Sequence, residues 1–193
     1  MVNDELYAFV FKGLLTEESL DKGGRKSNLK ADSPLEDSLL RGLGIDLIDD
    51  EFVKKARKMS AVYVAITAFE NSVREFIEKK LLEERGEGWW QTMSGKIQGK
   101  ATDRMKDEEG IRWLSPRGKS PIYHLDFGDL VTIMGLDSNW PLFEIHINDL
   151  NWARTIFSTL ERSRNIIMHG GELSDGDVAR IGIYIRDWIN QVG

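Results

Sequence analysis

DDEFVKKARKMSAVYVAITAFENSVREFIEKKLLEER, residues 49–85, is the longest stretch of the chain with a single reading. At 100° per residue, Phe52, Met59, Val62, Tyr63, Ile66, Phe69, Val73, Phe76, Ile77 and Leu81 fall on one stripe, the pattern of a helix that packs against other helices. Asp49 or Asp50 supplies a cap at its start, and Gly86 and Gly88 terminate it. One residue breaks the pattern. Glu70 lies inside the stripe, between Ile66 and Ile77, where an unpaired carboxylate is costly to bury. Arg74, one turn on at the edge of the stripe, is its nearest partner within the helix.

Working outward, helical punctuation and 3–4 spacing continue and alternating strand-like runs are scarce, so the fold reads as all-α. Residues 1–47 read as an N-terminal helical extension to a helical domain over 48–193. The extension has an amphipathic segment around Leu6, Phe9, Val10, Leu14 and Leu15, a polar loop from Gly23, and a short helix opened by Ser33-Pro34 and closed by Gly42 and Gly44. After Trp89-Trp90 come a polar helix over roughly 91–109 and a loop through Pro116 and Pro121. Short helices follow at Asp126 and at Asn139-Trp140-Pro141, then a helix from about Asp149 to Met168 ending at Gly170-Gly171. The last helix starts near Ser174 and buries Val178, Ile181, Ile185, Trp188, Ile189 and Val192.

Composition excludes several classes of function. The chain has 193 residues, no cysteine and three histidines, which removes disulfides, thiolate nucleophiles and Cys/His zinc sites, and no metal or cofactor is expected. Nothing approaches the ~18 consecutive apolar residues of a membrane span, and Met-Val-Asn-Asp-Glu-Leu lacks the basic start of a signal peptide. The expected location is the cytoplasm, with no membrane partner. Net charge is −6, yet residues 96–119 carry seven basic against four acidic side chains. Lys96, Lys100, Arg117 and Lys119 are therefore candidates to face phosphate.

The helix over 149–168 holds a second anomaly. Its apolar stripe is Trp152, Ala153, Ile156, Phe157, Leu160 and Ile167, and Arg164 points toward the same side. Guanidinium cannot be neutralised and needs an anion or a wet cleft. Glu70 is the acidic residue with the matching oddity, so Glu70 and Arg164 are expected to meet across a helix–helix contact at the floor of a polar cleft. His169 follows at the helix end, either as a cap or as a side chain for proton transfer.

The segment LERSRNIIMHG, residues 160–170, resembles the Arg-x4–6-His motif of the HEPN superfamily, helical domains that serve as metal-independent endoribonucleases and as RNA-binding modules. In the form Arg164-Asn165-x3-His169 it is similar to the branch found in prokaryotic defence-type proteins and in eukaryotic RNA-surveillance nucleases. AFENSVR (68–74), GEGWW (86–90), DFGDL (126–130) and NWPLF (139–143) extend the likeness over about 60–190. Three arginine–histidine pairs have the motif spacing: Arg164/His169, Arg162/His169 and Arg117/His124. Arg162 is the better placed by helical angle, since seven residues return to nearly one face, whereas Arg164 and His169 stand about 140° apart and need a distorted final turn to share a site. Asn165 and the flanking stretches favour Arg164.

The resemblance implies cleavage of RNA by attack of the ribose 2′-OH on the adjacent phosphorus, at a composite site formed by a homodimer. Its catalytic residues would be His169 as base or acid, Arg164 as phosphate clamp and Asn165 as orienting residue, with Glu70 and Arg74 supporting Arg164 and with Arg162 as a further RNA contact. A toxin or antiviral-defence role, with an antagonist or neighbouring defence protein as partner, is the biological counterpart. The alternative is a non-catalytic module that binds RNA or a nucleotide, or that dimerises, within a larger system.

Overall fold

The computed structural model describes residues 9, 11–16, 19–20, 34–111 and 113–192. Leu6, Val10, Ser33 and the loop from Gly23 lie outside them, as does Arg112. Every regular element among the described residues is helical, and no strand occurs there. The chain is all-α, and it divides into two compact units, Met1–Ser60 and Ala61–Gly193.

In the first unit α1 spans Pro34–Gly42, and a 3-10 turn covers Ile45–Leu47. Asp49 then caps the next helix, its Oδ1 accepting from the Glu51 amide at 2.8 Å. That helix, α2, runs over Asp50–Arg85 and crosses into the second unit. Phe52 was expected on its buried stripe but is 67% exposed. Periodicity marks an apolar face, and it does not say how far along the helix that face is covered.

In the second unit Val62, Ile66, Phe69, Val73, Ile77 and Leu81 are buried, as their spacing requires. Gly86, with φ at 65°, ends the helix, and a 3-10 segment spans Gly86–Thr92. α3 (Gly95–Glu109) starts after two intervening residues, the Ser94 side chain accepting from the Ile97 amide. A 3-10 turn over Pro121–His124 packs against α3. It leads into α4 (Phe127–Met134), opened by a capping box in which Asp126 and Asp129 satisfy each other's backbone amides. The short α5 (Trp140–Phe143) follows, set by the buried Asn139 amide, which donates to the Ile133 carbonyl at 2.6 Å.

α6 covers Leu150–Met168 and α7 covers Asp175–Val192. α6 packs along α4 and against α7. Its buried face runs through Ala153, Ile156, Phe157, Leu160 and Ser163, and Ile167, expected inside, is only half-buried. On α7 the buried residues are Ile181 and Trp188, seven apart. Ile189, expected inside, is 56% exposed, because it stands 100° round the helix from Trp188.

Phe69 is the hub of the core. Its ring lies 6.2 Å from Phe127, 5.9 Å from Phe157 and 5.8 Å from Trp188, joining α2 to α4, α6 and α7. Burying such a ring contributes roughly 1.5–3 kcal/mol, and aromatic pairs about 0.5–1.5 kcal/mol more. The next residue, Glu70, faces a cleft. The packing that fixes Phe69 therefore also fixes the direction of the carboxylate beside it.

Candidate functional site

A cleft of about 610 Å³ opens between α2, the end of α6 and the segment from Arg117 to Asp126. Tyr63, Thr67, Glu70, Asn71 and Arg74 line it from α2, at the three- and four-residue intervals that put side chains on one helix face. Arg164, Asn165, Met168 and His169 line it from α6, and Arg117, Tyr123, Leu125 and Asp126 complete the wall. Glu70 is 4% exposed and Arg74 8%.

The expected meeting of the two anomalous charges is present. Arg164 Nη1 donates to both oxygens of Glu70, at 3.0 Å and 2.9 Å. Arg74 Nη2 donates to Glu70 Oε1 at 2.5 Å and to the Leu125 carbonyl at 3.0 Å, and its Nη1 donates to Asn71 Oδ1 at 2.9 Å. Arg164 also stands over the Phe127 ring, 5.7 Å from its centroid. One carboxylate thus carries two guanidiniums, a local surplus of one positive charge. Burial lowers the pKa of Arg74, Glu70 pulls it back up, and the neighbouring Arg164 adds to the lowering.

Several donors in the cleft remain open. Arg74 Nε and Thr67 Oγ are buried without a hydrogen-bond partner among the described residues. Beyond its Nη1, Arg164 makes no further hydrogen bond there, and the side chains of Asn165 and His169 make none. The Arg74 and Thr67 atoms are buried, where polar groups are as a rule satisfied, whereas Asn165 and His169 are exposed.

His169 closes α6 in a Schellman turn. The Gly171 amide donates to the Ile166 carbonyl at 2.8 Å and the Gly170 amide to the Ile167 carbonyl at 3.0 Å, with Gly170 at φ 76°. A side chain at Gly170 would be strained in that conformation. The distortion expected for the last turn is absent, since the His169 amide still bonds the Asn165 carbonyl at 3.1 Å. Arg164 and His169 reach one cleft because the cleft wraps round the end of the helix and takes in Asn165 and Met168 between them.

A second ionic cluster borders the first. Asp126 accepts from Arg104 at 3.0 Å and 2.7 Å and from Lys100 at 3.0 Å, while Lys100 also meets Asp129 at 2.6 Å. Burial pushes the Asp126 carboxyl up, but these hydrogen bonds outweigh it and hold the pKa at about 2. Burial raises the carboxyl of Glu161, on α6, and Asp126 raises it further, whereas Arg164 lowers it. Lys100, expected to face phosphate, is therefore committed to carboxylates. Lys96 and Lys119 are exposed. Arg162 is exposed too and does not line the cleft, so the structure does not bring it together with His169 there.

The remaining motif-spaced pair, Arg117/His124, converges on Glu108. Arg117 Nε lies 2.7 Å from Glu108 Oε1, and His124 Nε2 lies 3.1 Å from Oε2. Tyr63, Thr67, Asn71 and Tyr123 were not anticipated. The first three share the face of Glu70, which is a signal that spacing could have supplied, whereas Tyr123 reaches the cleft through tertiary packing alone.

No group of three or more His, Asp and Glu side chains able to hold a metal ion occurs among the described residues, and no helix there is long and apolar enough to cross a membrane. No curated protein and no solved structure matches the chain. The family described as Swt1-like HEPN matches residues 65–193, which take in the whole lining of the cleft apart from Tyr63. With two thirds of its length matched, and with the helical fold and the Arg164/His169 cleft in place, the chain belongs to the Swt1-like HEPN family.

Proposed function

We propose that the chain is a metal-independent endoribonuclease of the Arg-Asn-x3-His type, cleaving RNA by transphosphorylation. The observation that carries this reading is the unspent donor set around Glu70. Two guanidiniums share one carboxylate, and Asn165, His169 and Thr67 face the same cleft without partners among the described residues. A phosphodiester supplies the missing negative charge and acceptor oxygens.

In this mechanism His169 takes the proton from the ribose 2′-OH, whose oxygen attacks the adjacent phosphorus. The P–O5′ bond breaks, leaving a 2′,3′-cyclic phosphate on one product and a 5′-OH on the other. Arg164 clamps the phosphate and offsets the charge that grows on its oxygens, the kind of interaction worth about 2.7–4 kcal/mol in a transition state. Asn165 orients the phosphate, and Glu70 and Arg74 hold Arg164 in register. The leaving O5′ needs a proton from a second acid. One chain offers the cleft one histidine, and His169 of the partner subunit fills that role in a two-fold homodimer. Ile166 and Met168, both exposed, flank the histidine on the surface such a dimer would use. Lys96, Lys119 and Arg162 are the exposed cations available to flanking RNA. The biological counterpart is a toxin or antiviral-defence effector held in check by an antagonist or neighbouring defence protein.

Purified protein incubated with structured and unstructured RNAs in EDTA is expected to yield 2′,3′-cyclic phosphate ends, and Arg164→Ala and His169→Ala to yield none. Equal cleavage by all three proteins, a requirement for Mg2+ or 5′-phosphate products would refute the mechanism.

One observation favours a second reading, a binding or dimerisation module without turnover. Lys100 and Arg104 are neutralised internally, so the basic surplus over 96–119 is smaller than the sequence suggests. On that reading His169→Ala binds RNA as the parent protein does, and neither cleaves it.

A further inference from the structure

Arg117 is held more closely than a surface arginine needs to be. Its backbone amide donates to Glu108 Oε2 at 3.1 Å while its Nε pairs with Oε1 of the same carboxylate at 2.7 Å. Glu108 is braced in turn by the buried His124. The next residue, Gly118, sits so close to Tyr123 that a Cβ there would fall 2.8 Å from the ring, and Ser120 Oγ donates to Glu78 at 2.6 Å. Three restraints therefore fix this segment against the cleft wall. An exposed ion pair contributes only about 0–1 kcal/mol to stability, too little to account for such ordering.

The Nε–Oε1 contact is an ion pair without hydrogen-bond geometry. It holds the guanidinium beside Glu108 and leaves unspent its planar fork of donors, the geometry that takes two phosphate oxygens at once. Neither Nη atom of Arg117 has a hydrogen bond among the described residues, and the side chain lines the same cleft as Arg164 and His169. One phosphate already balances the charge surplus on Glu70. A third guanidinium stands in the cleft, its charge met by Glu108 but its Nη donors open.

We infer that Arg117 binds a second phosphate, the one adjacent to the scissile phosphate along an RNA strand, so that the cleft reads two consecutive phosphates. This rests on the ribonuclease reading for the identity of the first phosphate. It makes the substrate an oligonucleotide in which the neighbouring phosphate promotes cleavage.

The test compares ribodinucleoside monophosphates, which carry one phosphate, with the same dinucleotides bearing an added 5′- or 3′-phosphate. In the parent protein the added phosphate on one side raises kcat/KM by about ten-fold, the size of one charge-assisted hydrogen bond. In Arg117→Ala the ratio between the two substrates falls to about one, and in Glu108→Gln it lies between, because the ion pair that holds the guanidinium beside the cleft is lost. A ratio is insensitive to the fraction of protein folded, so misfolding cannot imitate the result. Equal ratios in the parent and Arg117→Ala, or no gain from either added phosphate, would overturn the proposal. Should no dinucleotide be cleaved, the ribonuclease reading is decided on the longer RNAs named above. Binding of the 2′-O-methyl versions then decides the second site, an Arg117-dependent gain from the added phosphate sustaining it and no gain overturning it.

Discussion

Two ionic clusters border the cleft and are balanced differently. Around Asp126 and Asp129, two carboxylates face Lys100 and Arg104, and the charges cancel. Around Glu70, one carboxylate faces Arg74 and Arg164, and one positive charge is left over. Both clusters tie a helix to its neighbours, but only the second leaves donors open. The Asp126 cluster is explained by the fold: it caps α4 and fastens it to α3. On the proposed reading, an anion completes the Glu70 cluster. A deficit of acceptors, more than the mere presence of buried charge, is what separates a site from a brace.

The largest expected effect comes from removing the groups that meet the anion. Arg164→Ala and His169→Ala should each lower the rate of RNA cleavage by about 10²–10⁴, measured by single-turnover kinetics in EDTA. A smaller loss would place the chemistry elsewhere and break the contrast between the clusters.

Stability gives the next test. Glu70→Ala strands two guanidiniums, one of them buried, and should cost about 3–5 kcal/mol in chemical denaturation. Arg164→Met should cost distinctly less, since Glu70 keeps Arg74 and the charges then balance. Equal costs would mean that the surplus is fictitious.

The balanced cluster has its own signature in pH. The folded Asp126 carboxyl, at about 2, lies below its ordinary value of 3.8, so its stabilising contribution is complete above about pH 4 and lost as pH falls through about 2. With the carboxylate partly solvated, that contribution is about 1–2 kcal/mol. Asp126→Asn should remove this part of the acid dependence, visible in urea midpoints taken between about pH 2 and pH 5. The smallest effect belongs to the open surface. Lys119→Gln should lower the slope of log affinity against log salt for single-stranded RNA by about 0.7, the release of one counterion.

Much of this was legible in the sequence, for a specific reason. Glu70 and Arg164 each violate an otherwise clean apolar stripe, and two violations of opposite sign have few ways to be resolved except by meeting. The end of α6 was legible because Gly170-Gly171 terminates a helix in one well-defined manner. Residues 96–119 misled, because Lys100 and Arg104 meet partners more than twenty positions away, and net charge along a segment does not register such pairing. The arrangement of Arg117, Glu108 and His124 was invisible for the same reason, although Arg117/His124 shares the motif spacing. Phe52 and Ile189 show the limit of periodicity, which finds an apolar face and leaves open whether it is covered.

The sharing of Glu70 between two guanidiniums also joins the protein's durability to its occupancy. An anion seated in the cleft binds the folded chain and has no comparable site on the unfolded one, so it shifts the folding equilibrium by RT ln(1 + [L]/Kd), about 2.7 kcal/mol at a hundred times Kd. On the proposed reading the chain would be longest-lived while engaged and most vulnerable to unfolding and proteolysis when its ligand is scarce. For a helical protein with no disulfide to secure it, the supply of such a ligand would then help to determine how much of the protein persists.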